Sequence, residues 1–178
     1  MSFKETKIDS QTIYKGKILT LNKDKVMLEN GEISFREEVV HSGGVGVLCV
    51  KDNKILVVKQ FRYAYGKELL EIPAGKLEQG EDPKIAGIRE LREETGIITN
   101  NLTLLNTLYP TPGYTNEIIY VYLCEEIIGE TTQSLDDGEF VDCQWIDIEI
   151  ILEKIKNREI HDAKTVFAIL AYISKIYG

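Results

Sequence analysis

Basic residues are in short supply in this 178-residue chain: 21 Lys and Arg stand against 29 Asp and Glu, and the formal net charge at pH 7 is −8. Binding to nucleic acid polymers by counterion release needs the opposite balance, so DNA and RNA are not expected partners. Long apolar runs are missing too. The longest, about Ile118 to Cys124, falls far short of the roughly 20 residues that span a bilayer. The opening Met1-Ser2-Phe3-Lys4-Glu5 has neither the basic start nor the apolar stretch of a secretory signal, and a cytoplasmic location with no membrane partner is expected. Only three cysteines occur, Cys49, Cys124 and Cys143, each alone within an apolar or alternating run. None has the close spacing of a zinc site, which marks them as small core residues. The two histidines, His41 and His161, stand equally alone, and there are no repeats, linkers or low-complexity segments.

What is present is ordinary for a folded protein: 43% hydrophobic and 28% charged residues, enough for one domain with a substantial core and modest extensions. With so acidic a surface, a small anionic substrate would be repelled unless a local device, such as bound divalent cations, reversed the sign.

Residues 11 to 41 carry short strand-like runs broken by Lys15-Gly16-Lys17, Asn22-Lys23-Asp24 and Asn30-Gly31, the last a strong hairpin signal. They predict a small antiparallel extension. Val45 to Val50, a turn at Lys51-Asp-Asn-Lys54, and Ile55 to Val58 predict a buried hairpin that begins the main sheet. Further strands are expected at Leu69 to Ile72, Asn101 to Leu108, Ile118 to Glu125 and Phe140 to Ile146. Two helices should end the chain, Ile148 to Asn157 and Ala163 to Tyr177, with caps at Asp147 and Asp162.

The clearest helix is central. Asp82 can cap it, Pro83 suits its first position and Gly96 follows as a stop, giving a helix over 83–95. Glu90, Glu93 and Glu94 crowd one side of it, a spacing that destabilises a helix by roughly 0.2–0.5 kcal/mol per like-charged pair, with Arg89 placed to offset one of them. Ahead of it, Gly75 and Gly80 flank a flexible loop, Lys76-Leu-Glu-Gln79. Clustered carboxylates entered by a glycine-flanked loop form a set of hard oxygen ligands suited to Mg²⁺ or Mn²⁺, and a conflict with local propensity is where function is expected.

Gly75-Lys-Leu-Glu-Gln-Gly-Glu81, seven residues, and Arg89-Glu-Leu-Arg-Glu-Glu-Thr-Gly-Ile97 resemble the complete box of the Nudix family, G-x5-E-x7-R-E-U-x-E-E-x-G-U with U apolar; all nine defined positions within 23 residues are filled. Gly87 stands where many members have Ala, at a helix cost of about 1 kcal/mol. The likeness extends over roughly residues 36 to 170. Gln60-Phe-Arg62, Glu71-Ile-Pro-Ala-Gly75, Tyr109-Pro-Thr-Pro-Gly113 with Glu117, and Asp162-Ala-Lys-Thr165 resemble the ADP-ribose pyrophosphatase branch. Pro112 lies fifteen positions past Ile97, similar to that branch's marker proline, although Thr111 stands where Ser is commoner.

The resemblance implies an α/β/α sandwich around a mixed sheet, residues 42–178, with residues 1–41 as a β extension that serves as a dimerisation arm in a homodimer. It implies metal ligands at Glu90, Glu94 and the Ala74 carbonyl, with Glu93 reaching a second ion and oriented by Arg89. Substrate contacts are implied for Arg62, Glu71, Pro112, Gly113 and Glu117, and for Arg36 and Glu38 reaching across the dimer to the nucleoside half. Arg62 suits a charge-assisted contact to phosphate. The general base is implied to lie in an acidic loop, here Asp136-Asp-Gly-Glu139, where Asp137 replaces the usual Glu; Glu139, Asp137 and, within the box, Glu93 are the candidates. The implied activity is Mg²⁺-dependent hydrolysis of ADP-ribose to AMP and ribose 5-phosphate, with other nucleoside diphosphate sugars of the GDP-mannose type as alternatives. A non-catalytic nucleotide-sugar sensor is the other class, and the intact box argues against it.

Overall fold

The computed structural model describes residues 3–177, and contacts divide it into two compact units. One comprises residues up to Gly43 together with Tyr109–Ile118; the other comprises Gly44–Leu108 and the chain from Ile119 onward.

The first unit is built on an antiparallel sheet of β1 (Thr6–Lys15), β2 (Leu19–Met27) and β3 (Ile33–His41), in that order. Two of the three expected breaks are turns: the Gly16 N–H donates to the Leu19 carbonyl, and Gly31 sits at φ +83 between β2 and β3. The third is not. Asn22-Lys23-Asp24 runs through the middle of β2, because cross-strand partners hold it extended: Asp24 is 3% exposed, lies 2.5 Å from Lys7 Nζ and accepts from Ser10 Oγ at 2.6 Å. Turn-forming residues yield to pairing when both neighbours supply donors. Tyr109–Ile118 joins this unit through the Val39 N–H, which donates to the Tyr114 carbonyl at 2.7 Å, and through Asn116 Oδ1, which accepts from the His41 N–H at 2.8 Å.

The second unit holds the main sheet. Its elements are β4 (Gly44–Lys51), β5 (Lys54–Arg62), β6 (Lys67–Glu71), β7 (Ala74–Lys76), α1 (Pro83–Thr95), β8 (Ile97–Ile98), β9 (Thr103–Leu108), β10 (Ile119–Cys124), β11 (Gly129–Glu130), β12 (Val141–Asp147), α2 (Ile148–Lys156) and α3 (Ala163–Tyr177). Seven strands form a mixed sheet ordered β12-β5-β4-β10-β9, with β6 paired to β5 and β7 to β4; only β4 and β10 run parallel. β8 and β11 make a small separate pair. The β4–β5 hairpin turns through Asp52 and Asn53, both at positive φ, as its two-residue connection requires.

Period-two alternation sorts the core into two layers. Val45, Val47, Cys49, Leu56, Tyr122 and Cys124 pack with Ala86 and Leu91 of α1 on one face. Leu48, Val50, Ile55, Val57, Val121 and Leu123 pack with Ile148 and Ile151 of α2 and with Ala168 and Ile169 of α3 on the other. The result is the expected helix–sheet–helix sandwich. Cys49 and Cys124 are fully buried, as their core assignment anticipates. Gly87 has a packing reason: a Cβ there would fall 2.9 Å from Leu102 and 3.2 Å from Val45, so α1 lies close on β4 where an alanine would crowd it.

Candidate active site

α1 begins as its sequence dictates. Asp82 caps it through hydrogen bonds from the Lys84 and Ile85 N–H groups, Pro83 fills the first position, and Gly96 ends it in the left-handed region at φ +76. The apolar side is fixed by Ala86 and Leu91 in the core. Helical periodicity then places Glu90, Glu93 and Glu94 together, against the loop leaving β7.

Arg89 organises two of these carboxylates. Its Nη1 donates to Glu90 at 2.8 Å and Glu93 at 2.9 Å, while Nε and Nη2 both donate to Glu81 at 2.9 Å and Nη2 also to the Lys76 carbonyl at 3.3 Å. One guanidinium therefore stitches the loop to the helix and turns Glu90 and Glu93 to a shared donor. Glu81 is the partner that sequence reasoning did not name as a site residue, although the box position it fills was the available signal.

Glu94 is the outlier in burial, 2% exposed, with one oxygen accepting from the Ala74 N–H at 2.9 Å. Burial, reinforced by the charges of Glu139 and Glu90, pushes its carboxyl up to about 8 despite that hydrogen bond. Glu90 is raised as well, again by burial, with Arg89 working against the shift. Gly75 makes the close approach possible: a Cβ there would lie 2.0 Å from the Glu90 carboxyl carbon.

Among the described residues no three His, Cys, Asp or Glu side chains converge as a preformed metal site would require. The donor set nevertheless fits a hard divalent cation. Three carboxylates rise from one helix face: Glu94, raised by burial, Glu90, packed against Gly75, and Glu93.

On the sheet side of the same unit, Arg62 at the end of β5 and Glu71 at the end of β6 form a bidentate pair with both contacts at 2.7 Å. Glu71 is 1% exposed and also accepts from Lys164 Nζ at 2.5 Å. Burial raises the Glu71 carboxyl, but Arg62 and Lys164 outweigh it and hold it below the usual carboxylate range. In the acidic loop, Glu139 is half-buried and accepts from Gln60 Nε2 at 3.2 Å, whereas Asp137 is exposed. Gly138 between them sits at φ +82. Lys164 and Gln60 were not assigned as site residues, although both fall inside quoted motifs; contacts spanning 93 and 79 residues leave no local spacing to read.

The remaining sequence-predicted residues belong to the other unit. Arg36 is paired with Glu5 and donates to Ser34 Oγ at 3.0 Å, and Glu38 accepts from Lys7 Nζ at 3.2 Å. With Pro112 and Gly113 they line a cavity of about 260 Å³ that also involves Asp24, Tyr114 and Asn116. Glu117 lies 3.5 Å from His41 Nδ1.

A NUDIX domain model matches residues 40–168, spanning the whole of α1 and its loop. The chain belongs to the Nudix family. It is similar to the ADP-ribose pyrophosphatase of Bacillus subtilis (strain 168), 44% identical over 170 residues that cover 94% of this chain and 92% of that protein. It is also similar to the methanol dehydrogenase activator of Bacillus methanolicus, 40% identical over 169 residues, 94% of this chain and 91% of that one. The crystal structure of an ADP compounds hydrolase has the same fold, with a TM-score of 0.84 at 18% identity over 97% of this chain and 94% of that chain. Nudix hydrolases of this branch use divalent metal, and the Nudix helix α1 carries the carboxylates suited to it. No helix among the described residues is long and apolar enough to cross a membrane.

Proposed function

We propose that this Nudix hydrolase cleaves the diphosphate of ADP-ribose, giving AMP and ribose 5-phosphate, with Mg²⁺ as its cation and Mn²⁺ able to substitute. The observation that carries the reading is the buried Glu94 carboxylate, raised first by its burial and further by the charges of Glu139 and Glu90, in a helix whose box positions are all filled. Similarity to a protein named ADP-ribose pyrophosphatase over nearly the full length of both chains supports the substrate.

Glu90, Glu93, Glu94 and the Ala74 carbonyl would hold the divalent cation, which would supply positive charge against the diphosphate oxygens. The chain's own residues do the rest. Arg89 keeps Glu90 and Glu93 facing one point, and Glu71 fixes Arg62 so that its free guanidinium edge can take a phosphate oxygen. Water attacks one phosphorus, the bridging P–O bond breaks, and Glu139 accepts the proton of the attacking water. Glu139 is assigned over Asp137 because Gln60 already holds its carboxylate in place.

The working unit in this proposal is a cytoplasmic homodimer. Ile8, Ile13, Tyr14, Ile33 and Phe35 are all about half exposed on a three-stranded sheet, an apolar surface that a second copy of the arm would cover. Arg36, Glu38, Pro112, Gly113 and Glu117 then serve the nucleoside half. Three free thiols accord with a reducing compartment.

A substrate panel tests the reading. Among ADP-ribose, GDP-mannose, UDP-glucose, NADH and 8-oxo-dGTP, ADP-ribose should give the highest kcat/KM. A clear preference for GDP-mannose or a nucleoside triphosphate would overturn the substrate while leaving diphosphate hydrolysis in place.

A further inference from the structure

The segment Asp162-Ala-Lys-Thr165 builds a closed ring of polar contacts behind Arg62. Lys164 Nζ donates to Glu71 Oε2 at 2.5 Å and lies 3.1 Å from Asp162 Oδ1. The other Asp162 oxygen accepts from the Thr165 N–H at 2.9 Å and from its hydroxyl at 2.6 Å. Thr165 Oγ1 in turn accepts from the N–H of Ile72, the residue that follows Glu71, at 2.8 Å. Glu71 is therefore held twice, by its carboxylate and through the adjoining backbone, against the first turn of α3.

Exposure is lowest at Glu71, the centre of these contacts, and rises outward on both sides. The Glu71 side chain is 2% exposed, Lys164 10%, Asp162 18% and Arg62 38%. Glu71 engages the Nε and Nη2 edge of the guanidinium, and Nη1 has no protein partner among the described residues. The bidentate geometry sets the plane of Arg62, but only if Glu71 itself stays put. A buried carboxylate shared between two cations is immobile; left with one of them, it can rotate with that partner toward water.

We propose that Lys164 is a positioning residue for substrate binding: by bracing Glu71 from behind, it fixes the free edge of Arg62 in the orientation that receives a diphosphate oxygen. This rests on the reading of Arg62 as a phosphate contact. Lys164 touches no reacting atom, so its loss acts on KM and leaves kcat nearly intact.

The test is Lys164→Met, with Lys164→Arg as the conservative variant, read in two ways. Solvent exchange of the Arg62 Nε–H, followed by NMR in the free protein, reports the brace without any turnover. It should speed up about tenfold or more in Lys164→Met and return toward wild type in Lys164→Arg. In ADP-ribose kinetics, Lys164→Met should raise KM about 5–20-fold with kcat within about threefold, and should add less than about twofold to KM when Arg62 is already Ala. Unchanged Arg62 exchange, or an equal rise in KM in both backgrounds, would overturn the proposal. If Lys164→Met does not fold, Lys164→Gln is judged by the same criteria. Arg62→Ala alone separates the two layers: a wild-type KM there refutes the phosphate contact, while faster Arg62 exchange in Lys164→Met still upholds the brace.

Discussion

Gly75 and Glu90 are in such close contact that a Cβ on Gly75 would sit 2.0 Å from the Glu90 carboxyl carbon. The atom displaced by a methyl group is the far end of a flexible side chain, so the strain is relieved by rotating Glu90 away and not by moving backbone. Gly75→Ala should therefore lower kcat/KM by at least about tenfold while the melting temperature shifts by only a few degrees. Near-normal turnover in this variant would mean that the position of Glu90 is not critical.

The pH dependence of stability should carry the mark of Glu94. A carboxyl whose folded pKa lies above its unfolded value, here about 8 against the ordinary carboxylate range, stabilises the fold while protonated. That contribution is present at pH 4 and is lost as pH rises toward 8. In EDTA, wild type should lose stability relative to Glu94→Gln between pH 5 and pH 8 by about 2–4 kcal/mol, one pKa unit being worth about 1.4. Mg²⁺ should close the gap at pH 8 by binding the ionised carboxylate. Parallel pH profiles for the two proteins would show that the Glu94 carboxyl titrates normally.

How much of this was legible in the sequence depended on range. The limits of α1 could be read because Asp82, Pro83 and Gly96 act within a turn of their own positions. The crowding of Glu90, Glu93 and Glu94 followed from the period of the helix alone. Asn22-Lys23-Asp24 has the composition of a break, and local propensity cannot see Lys7 and Ser10 arriving from β1. The Glu71–Lys164 pair spans 93 residues and joins a strand end to a helix start, so no spacing rule reaches it. The grouping of Tyr109–Ile118 with the N-terminal strands has the same origin, since Val39 and His41 supply its backbone partners from about 75 residues away.

The general base is distinguished from the metal ligands by what its loss spares. Glu139→Gln should lower kcat about 10²–10⁴-fold, the usual worth of a positioned base, while the Mg²⁺-induced rise in melting temperature persists. Asp137→Asn should cost less than about threefold. Both loop variants keeping more than about a third of wild-type kcat, with Glu93→Gln inactive, would move the base into α1.

Exposed apolar residues on both β1 and β3 should bring two chains together. Light scattering at micromolar concentration should give about 40 kDa, twice the 20.2 kDa of one chain. A value near 20 kDa would contradict the homodimer and with it the role of Arg36 and Glu38 in a neighbour's site.

The most direct test of the account is the rate of AMP release from ADP-ribose as Mg²⁺ is titrated into the purified protein, run beside Glu90→Gln. Wild type should pass from no turnover in EDTA to saturation, with AMP and ribose 5-phosphate in equal amounts, and Glu90→Gln should be slower by at least about 10²-fold at saturating Mg²⁺. AMP release that is indifferent to EDTA, or a Glu90→Gln rate equal to wild type, would contradict the assignment of the α1 carboxylates as the catalytic centre.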